Sequence, residues 1–388
     1  MLHERKQAPT QSEIMGEVDG YVIRNTSYAP VPQIDLVYSD DDYSKERERS
    51  MNHNSQYGVM PMTKEEQEAE KELNWGLVKQ FTMNVFSFDF AHFSFPVAYS
   101  EPRSFLERTA DIFTFLADKY IDLADEEASR AKRLIYLATG ILSGFQLYMQ
   151  SKKPWNPVLG ETYTGGWANG NKIFAEQISH HPAISAFEIH GQKNKWKCSS
   201  QCQFSISAGP RKALIKQAGV FSLSLSDGTM YEWEFPDITV WGVIYGDRII
   251  QIEGPVTIRD ITNDLECIIE LWPSKDRNKQ IYSTQASTVW GSVFQSDDYY
   301  REPLYIISGD YTDKLIGNYD SSNVLWDIRK DIVKRPLAHA QESEILPSDS
   351  RYRLDRAMLI QNQIEEAETA KRVIEESQRR EEKMRNKI

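Results

Sequence analysis

Cysteine is scarce in this chain of 388 residues: there are three, Cys198, Cys202 and Cys267. Cys198 and Cys202 fall in a strand-like stretch, where four residues span about 13 Å. That is beyond the reach of a disulfide, and no zinc-ligand spacing accompanies them. Free thiols in a reducing, cytosolic setting are expected. Basic charge is short as well: 45 Lys and Arg stand against 57 Asp and Glu, a net charge of −12. This argues against nucleic acid, which needs a basic footprint, and against attraction of the whole chain to anionic lipid. Long apolar runs are missing. The most apolar stretch, residues 134–149, is broken by Thr139, Ser143 and Gln146 and falls short of the ~20 residues that span a bilayer. It reads as a buried core helix. The first ten residues hold no apolar stretch of the signal-peptide kind. Hydrolase and metalloprotease motifs, Gly-x-Ser-x-Gly and His-Glu-x-x-His, do not occur. These absences predict a soluble protein that is not an enzyme and carries neither metal nor cofactor.

What is present supports a sizeable core, with 40% hydrophobic and 11% aromatic residues. The acidity is uneven, since residues 1–75 hold fifteen acidic and eight basic residues. Residues 1–62, with prolines at 9, 30, 32 and 61 and the acidic run Asp40-Asp41-Asp42, read as a flexible acidic arm rather than a packed domain. A helix is expected from Thr63, a suitable N-cap with Glu66 three residues on. Residues 104–149 show helical apolar spacing at Ile112, Phe113 and Leu116 and at Leu134, Leu137, Ile141 and Phe145. From 158 to about 330 the pattern is strand-like. Gly165-Gly166, Asn169-Gly170-Asn171, Asp227-Gly228 and Gly246-Asp247 serve as turn signals, and Phe221 to Ser226 alternate apolar and polar residues. Many strands with short turns predict a large antiparallel meander closing toward a barrel. A last helix is expected over 364–386, with Glu368/Arg372, Glu375/Arg379 and Glu376/Arg380 paired at four-residue spacing.

Three stretches carry chemistry. In Glu176-Gln177-Ile178-Ser179-His180-His181-Pro182-Ala183, two adjacent histidines follow an apolar strand. Successive strand residues point to opposite faces, so both cannot serve one metal, and Pro182 ends the ladder. The pair is either two partly buried, hydrogen-bonded residues or imidazoles directed into a loop. In Lys152-Lys153-Pro154-Trp155-Asn156-Pro157-Val158-Leu159-Gly160-Glu161, two prolines enforce a loop. In the last helix Lys371, Glu375 and Arg379 recur every four residues, which fits a solvated face or a binding face.

Together these strings resemble the oxysterol-binding protein family of lipid transfer proteins. The first is similar to its Glu-Gln-Val-Ser-His-His-Pro-Pro fingerprint, with Ile178 and Ala183 as departures. The second is similar to Lys-Pro-x-Asn-Pro-x-Leu-Gly-Glu and the third to Lys-x-x-x-Glu-x-x-x-Arg. The strings Glu101-Pro102-Arg103-Ser104-Phe105-Leu106 and Leu346-Pro347-Ser348-Asp349-Ser350-Arg351-Tyr352-Arg353 add to the likeness, which runs over roughly 63–388. The resemblance implies an α+β, mainly β fold: a large incomplete antiparallel β-barrel around a lipid tunnel. It also implies a lid over 63–95, a helical layer at 104–149, barrel strands at 158–330 and a C-terminal helical region at 346–388. It places a phosphoinositide headgroup on Lys153, Asn156, His180, His181, Lys371, Glu375 and Arg379. The implied function is exchange of phosphatidylinositol 4-phosphate against a sterol or phosphatidylserine between membranes, by a cytoplasmic monomer that touches membranes transiently, including endoplasmic-reticulum contact sites. A lipid sensor or scaffold without net transport would need the same headgroup residues.

Overall fold

The structure is a computed structural model. It describes residues 96–148, 153–209, 211–243, 246–271, 287–296, 302–331 and 345–385, and the backbone of 15–18, 21–24, 54–55 and 58–59. The expected lid, 63–95, lies outside the described residues. Of the arm, β1 (Met15–Val18) pairs with β2 (Tyr21–Arg24). The hairpin of β3 (Asn54–Ser55) and β4 (Gly58–Val59) reaches the main sheet through Val59, opposite Ile250, so this end of the arm touches the barrel.

Two parallel strands, β5 (Ser100–Ser104) and β6 (Lys153–Trp155), precede the main sheet. That sheet runs through β7 (Thr162–Gly166), β8 (Lys172–Ser179), β9 (Ala183–His190) and β10 (Lys197–Ala208). Strands β11 (Lys212–Ala218) and β12 (Val220–Ser224) pair with β10 in one continuous register. They are halves of one strand broken at Gly219, where a Cβ would stand 2.3 Å from the Gln201 carbonyl oxygen. Next come β13 (Met230–Glu234) and β14 (Asp237–Trp241), separated by Phe235-Pro236, where proline cannot donate to the ladder. Then β15 (Ile249–Glu253) and β16 (Pro255–Asp260) flank Gly254, whose φ of +104° suits glycine. The meander finishes in β17 (Leu265–Leu271), β18 (Thr288–Gln295), β19 (Tyr305–Asp310), β20 (Lys314–Gly317) and β21 (Val324–Asp327). Its ladders are antiparallel, and those of the described residues leave β7 and β21 unjoined. The barrel is incomplete, as the resemblance implies. The outer edge of β7 is instead covered by the C-terminal region: the amide of Thr162 donates to the carbonyl of Ser348 at 3.0 Å, and Arg351 Nη2 to the carbonyl of Thr164 at 2.9 Å. Such cover stops an edge strand from pairing with another chain.

One turn signal is corrected. Gly165 and Gly166 lie inside β7, and a Cβ on Gly165 would come 2.7 Å from the Tyr163 hydroxyl. The missing side chain makes room for the buried Tyr163 rather than for a bend.

The helical layer follows expectation in place and differs in detail. Helix α1 (Phe105–Ile112) leads through a π-helical turn at Leu116–Tyr120 into α2 (Ile121–Glu126) and α3 (Arg130–Gly144). The apolar run does not continue as one α-helix to 149, because α3 gives way to a tighter 3-10 turn at Phe145–Tyr148. Helix α3 lies against β16 to β19 and β21, and its inward residues Leu134, Leu137, Ala138, Ile141 and Leu142 are buried. Aromatic rings bind the helices to the inner wall. Phe113 meets Phe221 with ring centroids 5.3 Å apart, Phe115 meets Trp326 at 4.6 Å, and Phe145 meets Tyr311 at 5.9 Å. Such pairs contribute about 0.5–1.5 kcal/mol each beyond their buried area. All three cysteines are free and buried, and burial pushes the Cys267 thiol up to about 12. No helix of the described residues is long and apolar enough to cross a membrane.

The string that begins at Glu101 is a buried charge network. Arg108 meets Glu101 at 2.8 Å and Asp111 at 2.7 Å, and Arg103 also pairs with Asp111. Burial alone would raise the Asp111 pKa, but Arg103 and Arg108 together hold it below the ordinary range. Arg356 of α4 (Leu354–Ile360) donates to the Pro102 carbonyl at 2.9 Å. This joins β5 and α1 to the C-terminal region and so positions α5 (Ile364–Arg385).

Candidate functional site

Helix α5 is seated by a small apolar cluster of Val97, Trp155 and Ala367. Next to it, Glu368 Oε2 accepts the Val97 amide at 2.7 Å. Trp155 belongs to β6, so the first turn of α5 is fixed beside the strand that carries Lys153. One helical turn beyond Ala367 comes Lys371, 7% exposed. Its Nζ lies 3.7 Å from Glu375 Oε1, and Arg379 Nη1 lies 4.0 Å from Glu375 Oε2. Arg379 itself is largely exposed. Lys153 is within electrostatic reach of both Lys371 and Glu375. Burial, and after it the Lys371 ammonium, lowers the Lys153 pKa to about 8, with Glu375 opposing.

The loop after Lys153 is pinned from several sides. Gly160, at a φ of +78°, donates its amide to the Gln177 carbonyl at 2.8 Å, and the Gln177 amide donates to the Glu161 carbonyl at 2.9 Å. These bonds extend the β7–β8 ladder and hold the proline loop against the histidine strand. Buried Glu161 accepts the Val158 amide at 3.1 Å and the Ser104 hydroxyl. Arg353 Nη1 reaches Glu161 at 2.8 Å and the Asn156 carbonyl at 2.7 Å. The Asn156 side chain is exposed. Within the histidine strand, Gln177 is buried and bridges the Ser179 carbonyl at 2.7 Å and the Ser185 hydroxyl at 2.5 Å. It spans the register shift where β8 meets β9.

His180, His181 and Pro182 form the turn between β8 and β9, with the imidazole centroids 4.4 Å apart. His180 is half-buried and His181 exposed, which removes the reading of a core pair. Burial, with His181 next, lowers the His180 pKa. Glu382 and Glu375 of α5 oppose this, while Arg385 adds to it. Thus α5 passes both the proline loop and the histidine turn. Glu375 acts on Lys371 and Arg379 by contact and on Lys153 and His180 through space.

The structure therefore brings together Lys153, His180, Lys371, Glu375 and Arg379, with His181 beside His180 and Asn156 on the same loop as Lys153. Sequence reading assigned no role to Glu161, Arg353 or Gln177, which build the site's frame, nor to Glu382 and Arg385, which act on His180 through space. The signal was partly there: Glu161 closes the Lys-Pro-x-Asn-Pro string, and Glu382 follows Glu375 by two helical turns. No group of His, Cys, Asp and Glu among the described residues has the arrangement of a metal site.

The fold is thus an incomplete antiparallel barrel in which a loop, a strand turn and a C-terminal helix bring basic side chains around Glu375. The oxysterol-binding protein family model matches residues 77–388, and the chain belongs to that family. It is 30% identical over 324 residues to oxysterol-binding protein 9 of Dictyostelium discoideum, a match that covers 80% of this chain and 74% of the relative. It is 26% identical over 311 residues to oxysterol-binding protein-related protein 3 of Mus musculus, covering 75% of this chain but only 35% of that protein. Among solved structures, the Osh3 ORD of Saccharomyces cerevisiae in complex with PI(4)P is similar with a TM-score of 0.66 and 20% identity, over 80% of this chain and 84% of the other. The Osh1 ORD domain in complex with cholesterol matches with a TM-score of 0.66 and 23% identity, over 81% and 79%. These structures share the fold.

Proposed function

We propose that residues 63–388 form a lipid-binding unit that takes phosphatidylinositol 4-phosphate and a second lipid, a sterol or phosphatidylserine, in one interior and exchanges them between membranes. The observation that carries this reading is the meeting of three remote stretches around Glu375. A phosphate monoester needs several converging donors. Lys153 and Lys371 supply point charges, Arg379 a planar fork, and the imidazoles ring N–H groups. Asn156 adds an amide at the rim. Glu375 holds the two helix cations in line and does not itself attract the anion. The acyl chains are held by apolar burial, worth about 0.8 kcal/mol per CH₂. The protein acts as a monomer in the cytoplasm, peripheral on membranes and at endoplasmic-reticulum contact sites. It leaves both lipids chemically unchanged, and residues 1–62 are an arm to this unit that touches the barrel at Val59.

A transfer assay between two vesicle populations, with each lipid labelled in turn, tests this. Phosphatidylinositol 4-phosphate should move one way, accelerated by the second lipid moving the other way, and should be recovered intact. Binding without movement would overturn transport in favour of a sensor or scaffold.

A further inference from the structure

Helix α5 turns one stripe inward. Ala367, Ala370, Lys371 and Gln378 are its buried residues, and Glu375 and Glu382 are half-buried. Positions 371, 375, 378 and 382 advance by alternating steps of four and three, which keeps their side chains on one side of an α-helix. Glu375, Glu382 and Arg385 act on His180. Gln378 stands one turn from Glu375 and one turn from Glu382 on that same side. Gln378 therefore lies on the side of α5 whose charged groups act on His180. Gln378 is 8% exposed, and its Nε2 is the one buried side-chain nitrogen or oxygen of α5 with no hydrogen-bond partner among the described residues.

A buried amide that donates to nothing bears its full desolvation cost, so a helix glutamine ordinarily turns its head to water. We propose that Gln378 is a further binding residue of the headgroup site, its Nε2 donating to an oxygen of the bound phosphate monoester or of its inositol ring. The inference rests on the phosphoinositide reading above. The residue type suits the place. A lysine or arginine at 378 would be drawn into ion pairs with Glu375 and Glu382, three residues before and four after. A glutamine carries two N–H donors and no charge, so it stays available between two carboxylates and still strengthens when its acceptor is anionic.

Gln378→Met keeps most of the volume and removes the donor, and Gln378→Glu turns it into an acceptor with negative charge. Both are compared with the full wild-type chain in three measurements. These are binding to phosphatidylcholine vesicles carrying phosphatidylinositol 4-phosphate, binding to vesicles carrying sterol instead, and the melting temperature with and without inorganic phosphate. The Met variant should lose about ten- to hundred-fold in phosphoinositide affinity, as for a hydrogen bond to a charged group. Its sterol binding should be unchanged and its unliganded melting temperature unchanged or higher. The Glu variant should lose at least as much. If inorganic phosphate stabilises wild type and not the Met variant, the contact is to phosphate. If only lipid affinity falls, the contact is to the ring. Wild-type phosphoinositide affinity in Gln378→Met overturns the assignment, as does an equal loss for both lipids with a lower melting temperature, which makes the residue structural. A wild-type chain that binds no phosphoinositide would instead defeat the headgroup reading itself.

Discussion

Arg353 and Glu161 form a buried ion pair, with Nη1 2.8 Å from Oε2, and the same guanidinium is held by Asp355 at 2.7 Å. The pair closes the proline loop onto the C-terminal region, 192 residues away. Burial tends to raise the Glu161 pKa, and Arg353 and the Ser104 hydroxyl oppose it. Breaking a buried pair leaves an uncompensated charge at about 3–5 kcal/mol. Because Asp355 remains beside Arg353, Glu161→Gln should cost about 3 kcal/mol in chemical denaturation. It should also weaken phosphoinositide binding, since the loop with Lys153 and Asn156 loses its anchor. An unchanged denaturation midpoint would show that the loop is held without Glu161.

How far the sequence reached depends on the kind of signal. Strand alternation located the barrel, because a strand buried on one face must repeat every two residues. Residue 221 and its neighbours read correctly for that reason. Four-residue charge spacing located α5, which is described through Arg385. Periodicity reveals which face is inward and not what it meets, so the pairing of Glu161 with Arg353 stayed invisible. It likewise gave Lys371 and Arg379 equal standing, although one is buried and the other lies in water. The Val59 bridge to Ile250 sits within the stretch read as an arm, because two-residue strands carry no periodic signal at all.

The Lys153 ammonium has a specific pH signature. Its pKa of about 8 in the fold stands below the ordinary 10.5, so between those values the unfolded chain binds more protons. Stability of the unliganded protein should therefore rise as pH increases from about 8 to 10.5, through this group. Phosphoinositide affinity should move the opposite way, falling as Lys153 loses its proton above about 8, while sterol affinity holds. Urea denaturation and lipid titrations at pH 7 and pH 9.5, repeated on Lys153→Met, isolate the contribution. A wild-type pH dependence that persists in Lys153→Met would assign it to another group.

Replacing His180 and His181 together by alanine should abolish extraction of phosphatidylinositol 4-phosphate from liposomes. The melting temperature should change little, because one ring is exposed and the other half-buried in a turn. Burial and the neighbouring ring keep the His180 pKa below 6.5, so the unliganded ring is mostly neutral at pH 7 and donates through one nitrogen. Acidification through that lowered pKa charges the ring, so its own contribution to binding an anionic ligand should grow as pH falls, and the double variant should lack that contribution. A folded double variant that extracts the lipid normally would remove the histidines from the site.

Lys371 and Arg379 separate the two readings of α5 most directly. Each lies four residues from Glu375, at 3.7 and 4.0 Å, but only Lys371 is buried. An exposed pair at this spacing is worth about 0.3–0.5 kcal/mol, so Arg379→Ala should leave stability within about 0.5 kcal/mol of wild type. If its fork closes on phosphate, the lost charge-assisted contact should cost about 1.5–3 kcal/mol of headgroup affinity, more than tenfold. Lys371→Met should show the same affinity loss with an added electrostatic sign. Removing a like charge beside Lys153 should bring the Lys153 pKa up from about 8 toward 10.5, visible by NMR of isotopically labelled lysine. Glu375→Ala should weaken binding less than either cation substitution, because it only aligns them. The second lipid, lacking phosphate at that point, should bind all three variants almost normally. Titrating both lipids against each variant decides the matter. Equal losses for the two lipids would indicate a folding defect, and no loss for either would leave α5 a solvated, salt-bridged helix.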